Sequence, residues 1–214
     1  MDTTFSIAVV FPPDVEAQER THRIADTLAV SSAWRIGRGV LDPFADLDEV
    51  IANRPLPFPD IVVTVGQPGG LAVSIAVRSR AVLISVPRSR DSLSRHDIGL
   101  AARTQLRTAT ALHVITADQR RLTAGPVTVE ARQPLGVTYR TEAGERTLTA
   151  TVITVAPTPS GAELRTGEST AIVAATRVDV AGAGLVLDHD RRSRHTDQVR
   201  ITALVDALRM ATLR

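Results

Sequence analysis

Residues 60–98 read DIVVTVGQPGGLAVSIAVRSRAVLISVPRSRDSLSRHDI, and this stretch decides the fold. After Asp60 the run Ile61-Val62-Val63-Thr64-Val65 is continuously apolar or β-branched, the pattern of a strand covered on both faces. Gly66-Gln67-Pro68-Gly69-Gly70 follows at once, a turn whose backbone can approach an anion. Leu71 to Val77 then opens a short helix with its N-terminus directed at that anion. Ala81-Val82-Leu83-Ile84-Ser85-Val86 makes a second buried strand, stopped by Pro87 and followed by the polar loop Arg88-Ser89-Arg90-Asp91-Ser92. Strands joined through a helix run parallel, so both polar loops fall at the carboxyl end of the sheet, where open α/β folds place ligands. Gly66, Gln67, Gly69, Gly70, Arg88, Ser89, Arg90 and Asp91 are therefore the candidate residues for binding a nucleotide or another phosphate compound. The guanidinium forks of Arg88 and Arg90 lead that set.

Upstream, Phe5 to Phe11 is a buried first strand ended by Pro12-Pro13, and Asp14 can cap a helix from Val15 to about Val30 with Ile24 and Leu28 on its inward stripe. Trp34-Arg35-Ile36 is a short second strand, Ala45 to Ala52 a second helix, and Arg54 to Pro59 an extended proline-rich connector. Downstream, Leu100 to Thr110 reads as helix and Ala111 to Ile115 as strand. Near Leu122 the composition shifts to threonine- and valine-rich runs: 127–131, 136–140, 147–155, 171–175 and 177–180, broken by turn signals at 142–144 and 159–161. The expected fold is α/β, with a Rossmann-like parallel-sheet domain over residues 1–121 followed by a β-rich antiparallel sandwich over 122–214 that ends in a return segment.

The order strand, glycine turn, helix, strand, proline, polar loop, then Leu93-Ser94-Arg95 and Ile98-Gly99, resembles the catalytic domain of diacylglycerol and sphingosine kinases and of the related NAD kinases. In that family a GGDGT turn follows the first strand and a P-x-GTGNDFAR-x-LG segment follows the next. Gly66, Gly69 and Arg95 stand at family positions. Pro68 replaces the aspartate of GGDGT, and with one residue deleted Arg88, Arg90 and Asp91 replace the glycines and asparagine of GTGN. Near the C-terminus, Leu185 to Asp188 and then Val199 to Arg209 resemble the family's last strand and its return to the first domain, with His189 and Asp190 in place of the Gly and Glu of a DGE-like turn. Thr158-Pro159-Ser160-Gly161 echoes an NAD-kinase loop. The resemblance implies a ligand in the cleft between two domains, ATP or another nucleotide with magnesium as cofactor, and a lipid or other phosphate-containing small molecule as partner. With the family's carboxylates replaced, it implies degenerate or absent phosphotransfer, and no catalytic residue is assigned. One alternative is an active ATP-dependent lipid kinase using rearranged acids, Asp91 with Asp188. The other is a non-catalytic interaction module, a homo-oligomer assembling through its β edges and arginine-rich stretch.

Composition narrows the chemistry. The 214 residues contain no cysteine, which excludes disulfides, thiolate nucleophiles and cysteine-type zinc sites. All 25 basic residues are arginine, so a P-loop lysine and a Schiff-base lysine are excluded as well. The net charge of +2 does not single out nucleic acid, and with aromatic residues at 3% base-stacking platforms are poorly supplied. His22, His96, His113, His189 and His195 show no metal-ligand spacing, and no metal site is expected. The N-terminal apolar run lacks a positive flank and is too short for a secretory signal, and no run reaches the ~20 apolar residues of a membrane span. A cytoplasmic location without a transmembrane segment is the expectation.

Overall fold

The structure is a computed structural model that describes residues 5–12, 14–37, 58–90, 92–167, 174–189 and 192–213. The expected helix at 45–52, connector residues 54–57 and strand residues 171–173 lie outside the described residues. The fold is mixed α/β with far more strand than helix, and the chain falls into two compact units. The first is Met1–Thr108 with Leu208–Arg214, the second Ala109–Ala207. The compositional shift near Leu122 falls within β6 (Arg120–Thr123), after β5 (Arg107–Thr116).

In the first unit β1 (Ile7–Val10), β2 (Arg35–Ile36), β3 (Ile61–Val65) and β4 (Val82–Val86) are all parallel, in the order β2-β1-β3-β4. The end of β12 (Arg192–Thr212) adds a parallel strand beside β4, with Arg209 opposite Val82 and Thr212 opposite Ser85. Every residue of β1 and β3 is buried, which is why their sequences are unbroken apolar and β-branched runs. Helix α1 (Val15–Thr27) starts at Asp14, whose carboxylate accepts from the Glu16 N–H. It buries Ala17, Thr21, Ile24, Ala25 and Leu28 at helical spacing. It stops short of Val30 because Ala29 turns left-handed (φ 51°) and Arg35 donates to the carbonyls of Val30 (2.8 Å) and Ala25 (3.3 Å), occupying acceptors near the helix end. Helix α2 spans Gly70–Ser79. Helix α3 spans Arg95–Thr104, earlier than the periodicity of 100–110 predicts. Ser94 and Asp97 form a reciprocal capping box that fixes the start, and the threonine-rich residues from Arg107 onward enter strand β5 instead.

The second unit is built from antiparallel pairs in the order β10 (Ala174–Ala175), β9 (Gly161–Thr166), β8 (Gly144–Thr158), β7 (Val127–Thr141), β11 (Arg177–His189) and β12, with β5 and β6 paired as a hairpin and β5 also against β12. Strands β7 (Val127–Thr141) and β8 (Gly144–Thr158) are each 15 residues long. The expected strands 127–131 and 136–140 are thus one strand. The interruption at Arg132-Gln133-Pro134 is absorbed as a register shift between Glu130 and Leu135, where proline's missing N–H is tolerated. A matching shift between Ala181 and Leu185 in β11 (Arg177–His189) brings Gly182 against the Leu135 side chain with no room for a Cβ. Strands β9 (Gly161–Thr166) and β10 (Ala174–Ala175) complete the order. Val129, Val137, Ile153, Leu164, Leu187 and Ile201 are among the residues of its separate apolar core.

Two residues test this unit. Gly161 has φ +148°, and a Cβ built there would meet the Ala175 carbonyl oxygen at 3.0 Å, so Gly161→Ala should lower stability by about 1–3 kcal/mol in urea denaturation. Asp179 accepts from Arg177 (2.6 and 3.1 Å) and from Arg200 (2.7 Å), which sits directly across the ladder. Burial raises its pKa, but the two guanidinium groups outweigh burial and hold the carboxyl below its usual value. A depressed folded-state pKa stabilises above the unfolded value, near 3.9, and that contribution is lost as pH falls through the folded value. The stability gap between wild type and Asp179→Asn should therefore be full at neutral pH and close below about pH 4, as followed by thermal melts across a pH series.

Candidate functional site

Because β1, β3 and β4 are parallel, the segments that leave their carboxyl ends emerge on the same edge: Phe11, Pro12 and Asp14, then Gly66 to Gly69, then Pro87 to Arg90 and Ser92 to Ser94. Gly66 has φ +77°, a left-handed conformation that glycine adopts without strain, and it swings the chain out of β3. Its N–H donates to the Val86 carbonyl (2.8 Å), and the Ser85 hydroxyl donates to the Gly66 carbonyl (2.6 Å), tying the turn to the end of β4. Gln67 and Gly69 are exposed and Pro68 is half-buried. Gly69 is the N-cap of α2 and Gly70 its first residue, so the glycine turn feeds directly into a helix N-terminus and its positive end of the macrodipole.

The second loop lies against the first. Arg88 runs along Gly66: a Cβ at Gly66 would stand 3.1 Å from Arg88 Nε and 3.6 Å from its Cγ. The Arg88 guanidinium continues to the Asp14 carboxylate at 3.5 Å. Ser89 is exposed. The Arg90 N–H donates to the Pro87 carbonyl (3.0 Å), closing a tight turn, while its guanidinium reaches the Ser92 carbonyl (3.3 Å) and Asp97 (3.4 Å). Asp97 accepts from the Ser94 N–H and hydroxyl, and those bonds, with Arg90 beside them, hold its carboxyl below the usual range. Asp91 lies outside the described residues.

Arg95, at a family position in the sequence, has a structural job. Its Nε donates to the Leu28 carbonyl (3.1 Å), Nη1 donates to the Phe5 carbonyl (3.2 Å), and the guanidinium lies 6.0 Å from the Phe5 ring centroid. It clamps the end of α1 and the entry to β1 onto α3. Asp188, the acid considered with Asp91, is in β11 of the second unit, opposite Ser193 and Thr128. The residue that sequence reasoning missed at this edge is Asp14 as the ion-pair partner of Arg88. Its signal was present in Pro12-Pro13-Asp14, an acid immediately after the first buried strand.

This arrangement offers donors: backbone N–H groups around a left-handed glycine, a helix N-terminus and the cations Arg88 and Arg90. That set suits phosphate oxygens. Asp14 is paired with Arg88, and among the described residues there is no group of three or more His, Cys, Asp or Glu side chains that could hold a metal ion. Also among the described residues, no helix is long and apolar enough to cross a membrane.

No family model matches the chain, and no curated protein does. Solved structures do. A diacylglycerol kinase structure from Bacillus anthracis str. Sterne superposes with a TM-score of 0.59 at 11% identity, covering 98% of both chains. Another structure from that strain, described as "a putative diacylglycerol kinase", gives 0.54 at 13% identity, covering 98% of this chain and 99% of the other. The chain therefore has the diacylglycerol kinase-like fold that its sequence layout resembles.

The two arginines should separate experimentally. Arg95→Ala removes two hydrogen bonds to carbonyls and should cost about 1–3 kcal/mol of stability in denaturant titration. Arg88→Ala, at an exposed pair, should change stability by less than about 1 kcal/mol.

Proposed function

We propose that this chain is a lipid-kinase-like protein that binds a nucleotide or another phosphate compound at the carboxyl ends of β1, β3 and β4, with phosphotransfer degenerate or absent. The observation that carries the reading is the packing of Arg88 on Gly66, which joins the glycine turn and the second polar loop into one cationic, donor-rich edge. The diacylglycerol kinase-like fold supports it. Gly66, Gln67, Gly69 and Gly70 approach the phosphate through the backbone, and Arg88, Ser89 and Arg90 line its other side. Pro68 fixes its own φ and removes one N–H, so this turn offers fewer donors and no carboxylate where the family motif has aspartate. Magnesium, if it accompanies the nucleotide, is held mainly by phosphate oxygens. Phosphotransfer needs groups that orient the nucleophile and metal ions that neutralise developing charge. Of the acids described at this edge, Asp14 is engaged by Arg88, and Asp97 by Arg90 and the Ser94 cap. A Rossmann-like reading of the first unit and a cytoplasmic location belong to the same proposal.

Isothermal titration with ATP, ADP, NAD and inorganic phosphate, each with and without magnesium, is the direct test. Saturable heat is expected from at least one, weakened roughly tenfold or more in Arg88→Ala by loss of a charge-assisted bond. Absence of binding by all four removes the reading. Pro68→Asp restores an N–H and a carboxylate and should strengthen magnesium-dependent nucleotide binding about tenfold. Transfer of labelled phosphate to diacylglycerol is expected to be undetectable in wild type; robust transfer would replace this reading with that of an active lipid kinase.

A further inference from the structure

Among the described residues, the outer half of β8 is an open sheet edge. Strand β8 pairs with β7 from Gly144 to Val155, while β9 covers its other side from Ile153 to Thr158 and the Gly167 N–H reaches the Val152 carbonyl (3.1 Å). Among the described residues no strand pairs with that other side over 144–151, where Glu145, Arg146, Thr147, Thr149 and Thr151 are exposed and Leu148 and Ala150 half-buried. Thr141 stands opposite Gly144, so the hairpin closes on the two-residue turn Glu142-Ala143. Closing pairs of such hairpins exchange both hydrogen bonds, and the alternation that follows turns the N–H and C=O of Glu145, Thr147, Thr149 and Thr151 away from β7. Protection of this edge is slight: 144–151 has no proline, its charges are Glu145 and Arg146 alone, and the register shift against β7 falls at its far end, between Ala150 and Val152.

We infer that this edge is a self-association surface on which a second copy of the chain adds its own β8, antiparallel, about a two-fold axis at Leu148. The occupant follows from the sequence of the edge itself. Centred on Leu148, residues 145–151 pair within the open segment: Glu145 faces Thr151, Arg146 faces Ala150, Thr147 faces Thr149, and Leu148 faces its own copy. An axis at Arg146 or Glu145 opposes like charges, and an axis at Thr147 sets Arg146 against Leu148, where the Leu148 register sets leucine against leucine. In the Leu148 register no like charges meet, threonines pair on the outer face, and Leu148 with Ala150 continues the apolar side that packs on Val137 and Leu135. A two-fold contact of this kind is closed, giving a dimer instead of a fibre. The inference is independent of the phosphate site, and its test uses no ligand.

Sedimentation equilibrium of the full chain from about 1 to 200 μM should show a species of twice the 22.9 kDa chain mass growing with concentration. Thr149→Pro removes an outward N–H while sparing the bonds to β7, and should leave a folded monomer over the same range, its fold checked by circular dichroism. Because the chain has no cysteine, Leu148→Cys gives a second readout that needs no loss of association. Across a two-fold non-hydrogen-bonded pair the Cα atoms are about 4.5 Å apart, within disulfide range, so mild oxidation should yield a covalent dimer. Glu142→Cys, at the hairpin turn, should not cross-link. A wild-type chain that stays monomeric throughout overturns the inference, as does a dimer unaffected by Thr149→Pro and not cross-linked through position 148.

Discussion

Parallel pairing of Ile61–Val65 with Val82–Val86 is the constraint on which the candidate site depends. Both strands are apolar on both faces, so neither can sit at a solvated surface, and the helix between them returns the chain to the same end of the sheet. Once that pairing forms, Gly66 must leave β3 beside the point where Pro87 leaves β4. The bond from the Gly66 N–H to the Val86 carbonyl records the junction. The approach of Arg88 to Gly66 is then a consequence of strand register. It needs a residue without a Cβ at position 66, since anything larger would meet the arginine at 3.1 Å and would have to adopt a left-handed backbone.

Arginine is the only permanently charged basic residue available to this chain, and the structure uses it for unlike tasks. Arg35, Arg95, Arg177 and Arg200 spend their planar forks on carbonyls or on a carboxylate within the fold, where several donors at fixed geometry are an advantage over a single ammonium. Arg88 and Arg90 instead sit in a loop at the edge where strands end, each facing a carboxylate at 3.4–3.5 Å. The difference between a clamp and a ligand contact is invisible in the residue type. Arg95, which motif position alone would place with the ligand, is a clamp because Phe5 and Leu28 present carbonyls to it.

In the second unit the same tension between local signal and tertiary pairing governs strand length. Pro134 reads as the end of a strand, and the run expected at 177–180 stops before Gly182. Yet β7 and β11 continue through these positions because their irregularities adjoin and are accommodated together as bulges. A buried alternation on either side, Val129 and Val137 in one strand and Val180 and Leu185 in the other, holds the long strands together across the shift.

The sequence by itself determined the elements with strong periodicity: the strands at 61–65 and 82–86, the helix after Asp14, the glycine turn, and the β-rich character beyond residue 122. Each of these is written in contiguous residues whose burial follows from a single period, so no partner need be known. It also carried the kinase-like layout, through the order of those elements more than through any motif. Tertiary structure decided what depends on pairs distant in the chain: the salt bridge of Asp14 to Arg88, the clamp of Arg95 on Phe5 and Leu28, and the passage of β7 through Pro134. The physical reason is common to all of them. A side chain's role is fixed by which donors and acceptors it meets, and between residues 14 and 88 or 5 and 95 only the register of a folded sheet settles that meeting.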